Sequence, residues 1–304
     1  MKEILELLGV DKRVQDISLG NIHLFREYSG WESYGSDEVN SKRNHPHPPL
    51  FIPIIIDYDA TPISFGITKH WFTDREMCYS YMDFAAQFEN AEIARTSDQL
   101  IDRLIFEYFV DVIEGDEIDV NSKLTVLKKL AAEYSFEDIK RISRLNSTEQ
   151  VQILASFKEK EPLWLYSNSN INEYTGSFPS TVDLINVNGL SSGAYFEISH
   201  KEWIGYFSEK KGFSFFRKQQ KYKPLENIPQ WLRPNSDKSE LFEEYMGKRE
   251  FNKAWLIING PGFNPIEVGE RLQRLKKVSQ DKAYHLWADL WCAKYGRMDS
   301  FIFI

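Results

Sequence analysis

Apolar side chains in the first third of the chain recur with the periods of β-strands. Residues 51–56 form a short apolar run rich in β-branched side chains, and residues 63–68 alternate apolar and polar side chains. The run is typical of a buried strand and the alternation of a half-buried one, so the turn-like residues between them predict a hairpin. Because proline lacks a backbone N–H, Pro53 predicts an edge position or a bulge in the first strand. Residues 77–84 predict a third strand.

Helical periodicity flanks these strands on both sides. Charged residues surround a leucine-rich stripe at residues 1–14, which predicts a short amphipathic helix. Ser97 and Asp98 favour a helix N-terminus, and an apolar stripe at helical spacing follows them. The stripe consists of Ile101, Leu104, Ile105, Tyr108, Phe109 and Val112. Helical spacing over residues 124–134 and short helices between residues 135 and 157 predict a helical connector in the middle of the chain.

The composition changes after Pro162 to asparagine, serine, glycine and aromatic residues. Strand-like stretches at residues 181–187 and 194–199 surround a glycine-rich turn, and they predict a second unit that contains β-structure. Residues 255–258 form an apolar run that leads into an Asn-Gly-Pro-Gly sequence. We predict a buried strand and its exit turn there.

Two signals near the end of the chain predict element boundaries. Asn264, Pro265 and Glu267 have the order of an N-cap, a proline at the first helical position and a capping-box glutamate. The apolar residues 300–304 predict a final strand that is paired and buried, because such a strand would template aggregation if it were exposed.

These elements predict an α+β protein with a small, mainly antiparallel sheet, flanking helices, a helical connector and a second α+β unit. The predicted domains are an α+β domain over residues 1–115, the connector over residues 116–161 and the second α+β domain over residues 162–304. A chain of 304 residues is long enough for this division, since ordinary domains contain about 100–150 residues.

Composition and charge narrow the function classes. The chain is 42% hydrophobic and 27% charged, which is typical of a globular protein and excludes wholesale disorder. Cys78 and Cys292 lie far apart, so the sequence predicts neither a disulfide framework nor a cysteine zinc site and favours a cytoplasmic protein. Because no run approaches about 18 apolar residues, we expect no membrane partner. The net charge of -8 disfavours nucleic acid and favours a basic protein partner.

Several histidines and acids are candidates for chemistry. His45 and His47 alternate with prolines, and an extended path would point them apart, so we predict surface histidines and not metal ligands. His70, Asp74 and Glu76, with Asp57 and Asp59 on the preceding turn, include the residue types of acid–base or metal catalysis. Their spacing matches no metal motif, and a solvated strand end is the interpretation that we favour. A hydrolase that uses this cluster at residues 57–76 stays an alternative.

Other catalytic and nucleotide-binding motifs are absent from the sequence. No Gly-x-Ser-x-Gly elbow, phosphate loop or dinucleotide fingerprint occurs, so we predict no catalytic residue, no metal and no cofactor. The basic stretch at residues 210–218 interleaves charges with aromatic side chains, as single-stranded nucleic-acid sites do. In an acidic chain this stretch favours a charged hairpin or a protein-binding surface.

The stretch from residue 51 to residue 109 resembles the SMI1/KNR4 superfamily, also called SUKH, whose members are small α+β domains. The resemblance rests on the order of its segments: Phe51 to Ile54, the acidic turn with Asp57 and Asp59, Ile63 to Thr68, Met77 to Phe84, and the helix that begins at Ser97 to Leu100. It implies a bacterial immunity-type protein that binds and neutralises a toxin, which is often a nuclease. An acidic inhibitor of a basic toxin would also associate faster through electrostatic steering.

We therefore expect a protein-binding, immunity-type inhibitor that occludes a toxin or other protein partner, and we favour this over an enzyme. Aromatic residues on irregular segments are common anchors of interfaces. The predicted contact surface consists of Trp31, Asp57, Asp59, Trp71 and Asp74. A second alternative is a phage- or defence-associated regulatory scaffold in which residues 163–304 recognise the partner.

Overall fold

The computed structural model describes most of the sheet and the helices at both ends of the chain. The described residues are 1–22, 28–30, 46–57, 63–72, 76–83, 89–114, 125–126, 128–130, 134–158, 207–210, 221–224, 236–259 and 262–299. Trp31, Asp59, Asp74 and His45 lie outside them, as do the strands predicted at residues 181–187, 194–199 and 300–304.

Five antiparallel strands form a meander in the order β1-β2-β3-β4-β5. The strands are β1 (Tyr28–Gly30), β2 (Phe51–Asp57), β3 (Ile63–Thr68), β4 (Cys78–Asp83) and β5 (Glu89–Ala94). The hairpin predicted for β2 and β3 is confirmed. The register of that pair shifts between Pro53 and Ile55, which confirms the bulge that the proline predicts.

A close approach between β2 and β3 depends on a glycine. A Cβ at Gly66 would lie 2.6 Å from the ring of Phe51 and 2.5 Å from the carbonyl oxygen of Ile52. The Phe51 ring therefore lies where a side chain at position 66 would otherwise be, which is one known role of glycine inside strands. This contact and the surrounding side chains bury Phe51 completely.

Helices α1 (Lys2–Leu7), α2 (Lys12–Ser18) and α3 (Ser97–Glu114) belong to the same unit as the sheet. Helix α2 packs against β2, and the Tyr79 hydroxyl on β4 lies 2.6 Å from the Ser97 hydroxyl at the start of α3. The predicted helix after residue 97 is confirmed, but its capping hydroxyl is one residue earlier. Thr96 Oγ1 accepts a hydrogen bond from the backbone N–H of Gln99.

The connector contains α4 (Phe136–Ile142), α5 (Ser147–Ile153) and a 3₁₀ turn at Ala155–Phe157. Both helices begin with capping boxes, formed by Ser135 with Asp138 and by Asn146 with Glu149. These boxes confirm the short helices that the sequence predicts in this region.

Four helices follow residue 236: α6 (Lys238–Lys248), α7 (Phe251–Ile258), α8 (Pro265–Lys276) and α9 (Lys282–Tyr295). The capping box of Asn264 and Glu267 at the start of α8, with Pro265 in its first turn, is confirmed. The strand predicted at residues 255–258 is wrong, because these residues form the last turn of α7. All residues from 254 to 258 are buried, so this helix has no polar stripe by which its period could be recognised.

One continuous apolar core joins residues from both ends of the chain. Helix α9 packs against α1, and the ring of Trp71, after β3, lies 5.5 Å from the ring of Tyr284 on α9. The described residues on the two sides of residue 162 therefore share a core. The predicted domain boundaries stay a prediction, while the α+β class with a small antiparallel sheet is confirmed.

A second sheet contains only β6 (Phe207–Lys210) and β7 (Lys221–Pro224), paired antiparallel. These strands flank most of the basic stretch, whose residues 211–218 lie outside the described residues, so the charged hairpin or protein-binding surface stays a prediction. Within the described part of the chain, no helix is both long enough and apolar enough to cross a membrane.

Candidate functional site

The meander separates the candidate residues between two ends of the sheet. Asp57 ends β2 and lies opposite Tyr28, at the end where β3 begins. His70 and Trp71 follow β3, and its six residues span about 20 Å. Of the predicted contact surface the structure describes only Asp57 and Trp71, and these two residues lie at opposite ends of the sheet. Asp57 and His70 lie at opposite ends of the sheet as well, and the hydrolase that uses the cluster at residues 57–76 stays an untested alternative.

The end with His70 and Trp71 is closed by the C-terminal helices. His70 is 2% exposed and Trp71 is 7% exposed. The His70 ring meets the ring of Trp255 edge-on at 6.5 Å, and Phe72 packs against Trp255 and Tyr284. Trp71 thus stabilises the core and offers almost no surface to a partner, which corrects its assignment to the contact surface.

His47 is buried, so the surface position predicted for it is wrong. Its ring is 1% exposed and stacks on Phe51 with the ring centroids 5.3 Å apart. Nδ1 lies 3.3 Å from the Tyr295 hydroxyl and Nε2 lies 3.1 Å from the Ser64 hydroxyl. Because both ring nitrogens have hydroxyl partners inside the core, His47 orders the packing of α9 on the sheet.

Residues 46–50 form a strap between the sheet and the C-terminal helices. The indole N–H of Trp291 donates to the His47 carbonyl at 2.8 Å, and that of Trp287 donates to the Pro49 carbonyl at 2.6 Å. The Leu50 N–H donates to the Asn259 side-chain oxygen at 2.6 Å. These bonds satisfy buried backbone groups of a proline-rich segment that lies outside the strands. No sequence pattern indicates them, because they join residues more than 200 positions apart.

The opposite end of the sheet is acidic. Ile63 pairs with Asp83, and Asp83 pairs in turn with Glu89, so Asp83 and Glu89 lie beside each other across β4 and β5. With Asp57 they form the acidic end, by which we mean these three positions. Asp83 and Glu89 were missed from the sequence because only the register brings them together.

The acidic end begins the most acidic stretch of the chain. Residues 83–119 include eleven acidic and two basic residues, so this stretch alone carries a charge of -9 and is slightly more negative than the whole chain, whose net charge is -8. The net negative charge of the chain is therefore concentrated in this stretch. At physiological salt an exposed charge acts over about 8 Å, so a partner near β5 and α3 meets this stretch and not the average charge.

Glu92 lies within this stretch, but its side chain is buried in the protein interior. Its side chain is 1% exposed, and the carboxylate accepts a hydrogen bond from Arg95 Nε at 2.8 Å. Burial, and then the charge of Glu92, raises the pKa of the nearby Cys78 thiol well above its ordinary value. Cys78 therefore stays protonated and unreactive, since the thiolate is the nucleophilic form.

Metal and acid–base sites find no support among the described residues. No group of three histidine, cysteine, aspartate or glutamate side chains there could hold a metal ion. Ser64 beside His47 has the residue types of an activated nucleophile, but Ser64 is fully buried and cannot meet a substrate.

Lys238, in the first turn of α6, has a perturbed pKa of structural origin. Burial lowers the pKa of its ammonium group from 10.5 to about 8. Between these values the unfolded chain binds more protons than the folded one, so this group makes stability rise with pH from about 8 to 10. We expect Lys238→Met to remove that rise and to stabilise the protein at pH 7 by about 1–2 kcal/mol, allowing for partial exposure.

Urea unfolding of native and variant chains at several pH values between 7 and 10 measures this effect. Lys282→Met, at an exposed position of α9, is the control and should keep the native profile. Parallel profiles for the native chain and Lys238→Met would show that Lys238 does not titrate in this range.

Comparisons with known proteins supply no relative for this chain: no protein-family model, no curated protein and no solved structure matches it.

Proposed function

We propose that the chain is a protein-binding, immunity-type inhibitor that occludes a basic protein partner, such as a toxin, with the acidic end of its sheet. The observation that carries the proposal is the register that sets Asp83 opposite Glu89, next to the end of β2 at Asp57. A basic partner would be attracted to this concentration of acidic positions.

The order of the described elements supports the same proposal. Two helices, an antiparallel meander and a long helix follow each other over residues 1–114. This order is compatible with the small α+β domain that the SUKH resemblance implies. Asp57, the first acid in the turn of that resemblance, is one of the three positions of the acidic end.

The concentration of charge in one region also supports a role in recognition. Steering by complementary charge raises association rates and makes them sensitive to salt. Acidic residues outnumber basic ones by nine between positions 83 and 119. Even without the buried Glu92 and Asp102 this stretch provides such a field, and the near-neutral C-terminal helices do not. We also propose that the protein acts in the cytoplasm, because Cys78 and Cys292 are both free thiols.

Neutralising the acidic end tests the proposal. The tagged full chain and its Asp57→Asn, Asp83→Asn, Glu89→Gln variant are used as bait for proteins of the native host. We expect the native chain to capture a basic protein and the variant to bind it at least tenfold more weakly in calorimetric titration. We also expect this partner to arrest growth when expressed alone, and co-expression of the native chain to restore growth.

A matched control removes the same number of charges elsewhere. Glu240→Gln, Glu270→Gln, Asp299→Asn changes three exposed acids, which lie on α6, on α8 and just after α9, and should leave the affinity unchanged. Equal weakening in both variants would refute the acidic end as the contact surface. A partner that is bound by the native chain but harmless on its own would refute the immunity-type role.

A further inference from the structure

His47 is held between the sheet and α9 by its ring and by its backbone. The ring stacks on Phe51, and its two nitrogens lie 3.1 Å from the Ser64 hydroxyl of β3 and 3.3 Å from the Tyr295 hydroxyl of α9. The backbone carbonyl of the same residue accepts the indole N–H of Trp291. One residue therefore joins the strap, β3 and the last turn of α9.

The two hydroxyl partners suit a neutral ring. A neutral imidazole has one donor and one acceptor nitrogen, and a hydroxyl group can bond with either. An imidazolium has two donors, so the hydroxyl that donated to the ring has to turn away and find another acceptor for its proton. The ring of His47 is also 1% exposed, so a positive charge on it would lose its hydration. The closed arrangement therefore disfavours the imidazolium.

The charged positions around His47 act in opposite directions. The ammonium group of Lys294 on α9 lies 5.9 Å from the centre of the tyrosine ring that contacts His47, and its charge opposes an imidazolium. Asp57 on β2 and Asp83 on β4 each follow a strand partner of Ser64 by one position, and acids there favour an imidazolium. Because these effects offset each other in part, loss of hydration decides the charge of the ring in the closed form.

We propose that His47 is an acid-sensitive switch: protonation of its ring releases the strap and the last turn of α9 from the sheet. Histidine in water takes up a proton near pH 6.5. Below that pH the open form binds a proton that the closed form excludes, so acid favours opening. The stability of the closed contact is complete well above about pH 6.5 and is lost as the pH falls. This inference is separate from the protein-binding proposal, because it uses core contacts and not the acidic end.

Opening of this contact would uncover aromatic side chains. Trp291 and Tyr295 are fully buried in the closed form, and their ring centroids lie 5.4 Å apart. Contiguous apolar surface of this kind is typical of binding sites when it is exposed. The switch would therefore present an aromatic surface of α9 in acid and hide it at neutral pH.

Hydrogen exchange of the full chain, followed by NMR between about pH 5.5 and pH 7, tests the inference. The Leu50 amide, which donates to the Asn259 side-chain oxygen, reports on the strap, and the Tyr295 amide reports on the end of α9. We expect both protection factors to fall about eightfold from pH 7 to pH 5.5, as for one histidine that titrates near pH 6.5 only in the open form. The amides of β4 should lose less than about twofold.

Two histidine variants separate the switch from general acid sensitivity. His47→Gln removes the titrating ring and keeps a polar side chain, so protection at Leu50 should change by less than about twofold over the same range. His285→Gln is the matched control. This histidine is partly exposed on the same helix, and its Nε2 donates to the Ser279 carbonyl and not to the strap. The control should therefore keep the native fall in protection.

The ring resonances of His47 in the native chain give a test that needs no variant, and they decide the question even if His47→Gln does not fold. Uptake of a proton by this ring near pH 6.5, with the Leu50 amide still protected, would overturn the inference. A fall in protection that persists in His47→Gln, disappears in His285→Gln or extends equally to β4 would overturn it as well.

Discussion

Replacing Trp287 with alanine is expected to lower the free energy of unfolding by about 3–5 kcal/mol. The side chain is fully buried on α9, so truncation leaves a cavity that its neighbours can fill only in part. It also removes the indole N–H that donates to the Pro49 carbonyl at 2.6 Å. That carbonyl would then be buried without this donor, which adds to the cost. The denaturant midpoint, followed by circular dichroism, measures the loss.

A milder pair of substitutions isolates the hydrogen bond. Trp287→Phe removes the donor to Pro49, whereas Trp255→Phe removes an indole N–H that has no hydrogen-bond partner among the described residues. We expect Trp287→Phe to cost about 1 kcal/mol more than Trp255→Phe, because only the first leaves a buried carbonyl without its donor. Val278→Ala, at a position that is 39% exposed, should change stability by less than about 0.5 kcal/mol.

The Trp287→Ala variant also tests whether the sheet and the C-terminal helices unfold together. In a single cooperative unit, hydrogen exchange of the β3 and β4 amides should accelerate along with that of α9. If the amides of β3 and β4 kept native protection in a destabilised variant, the sheet would be an independent domain. The strap of residues 46–50 would then hold the helices without stabilising the sheet.

The second large loss of stability is expected when the buried ion pair of Glu92, on β5, with Arg95 is broken. Arg95→Met leaves the Glu92 carboxylate, whose side chain is 1% exposed, without its guanidinium partner. Removing one partner of a fully buried pair costs about 3–5 kcal/mol. We expect about 2–3 kcal/mol here, because the Arg95 side chain is 23% exposed and water can partly reach the site.

Glu92→Gln in the same chain shows whether the loss is electrostatic. The double variant Glu92→Gln, Arg95→Met should recover most of the stability, since no uncompensated charge remains. A thermodynamic cycle over the four chains, measured by urea unfolding, gives the coupling energy. If the double variant were as unstable as Arg95→Met alone, packing of the arginine stem and not charge pairing would explain the loss.

Much of the local structure was predictable because its causes lie within a few residues. Asn264, Pro265 and Glu267 start α8 through hydrogen bonds that span three positions. Pro53 disrupts the strand register at its own place in β2. The alternation over residues 63–68 predicted β3, since a half-buried strand must show its period in its own side chains.

The candidate site was predictable only in part. Asp57 was identified because an acid that ends an apolar strand stands out in the sequence, and it belongs to the acidic end. Asp83 and Glu89 were missed because they become neighbours only when β4 and β5 pair. Trp71 was assigned to a surface because the sequence pattern of an aromatic residue after a strand does not depend on whether a helix covers that residue in the fold. Tyr284, more than 200 positions later, covers it.

The sequence by itself determined the α+β class, the strand and helix starts with local caps, and the negative charge of residues 83–119. Only the tertiary structure decided that residues 255–258 are helical, that His47 is buried and that the C-terminal helices close one end of the sheet. The physical reason is the range of the interactions. Caps, turns and strand periods act between close neighbours in the chain, whereas burial and register depend on surfaces that meet only after the chain has folded.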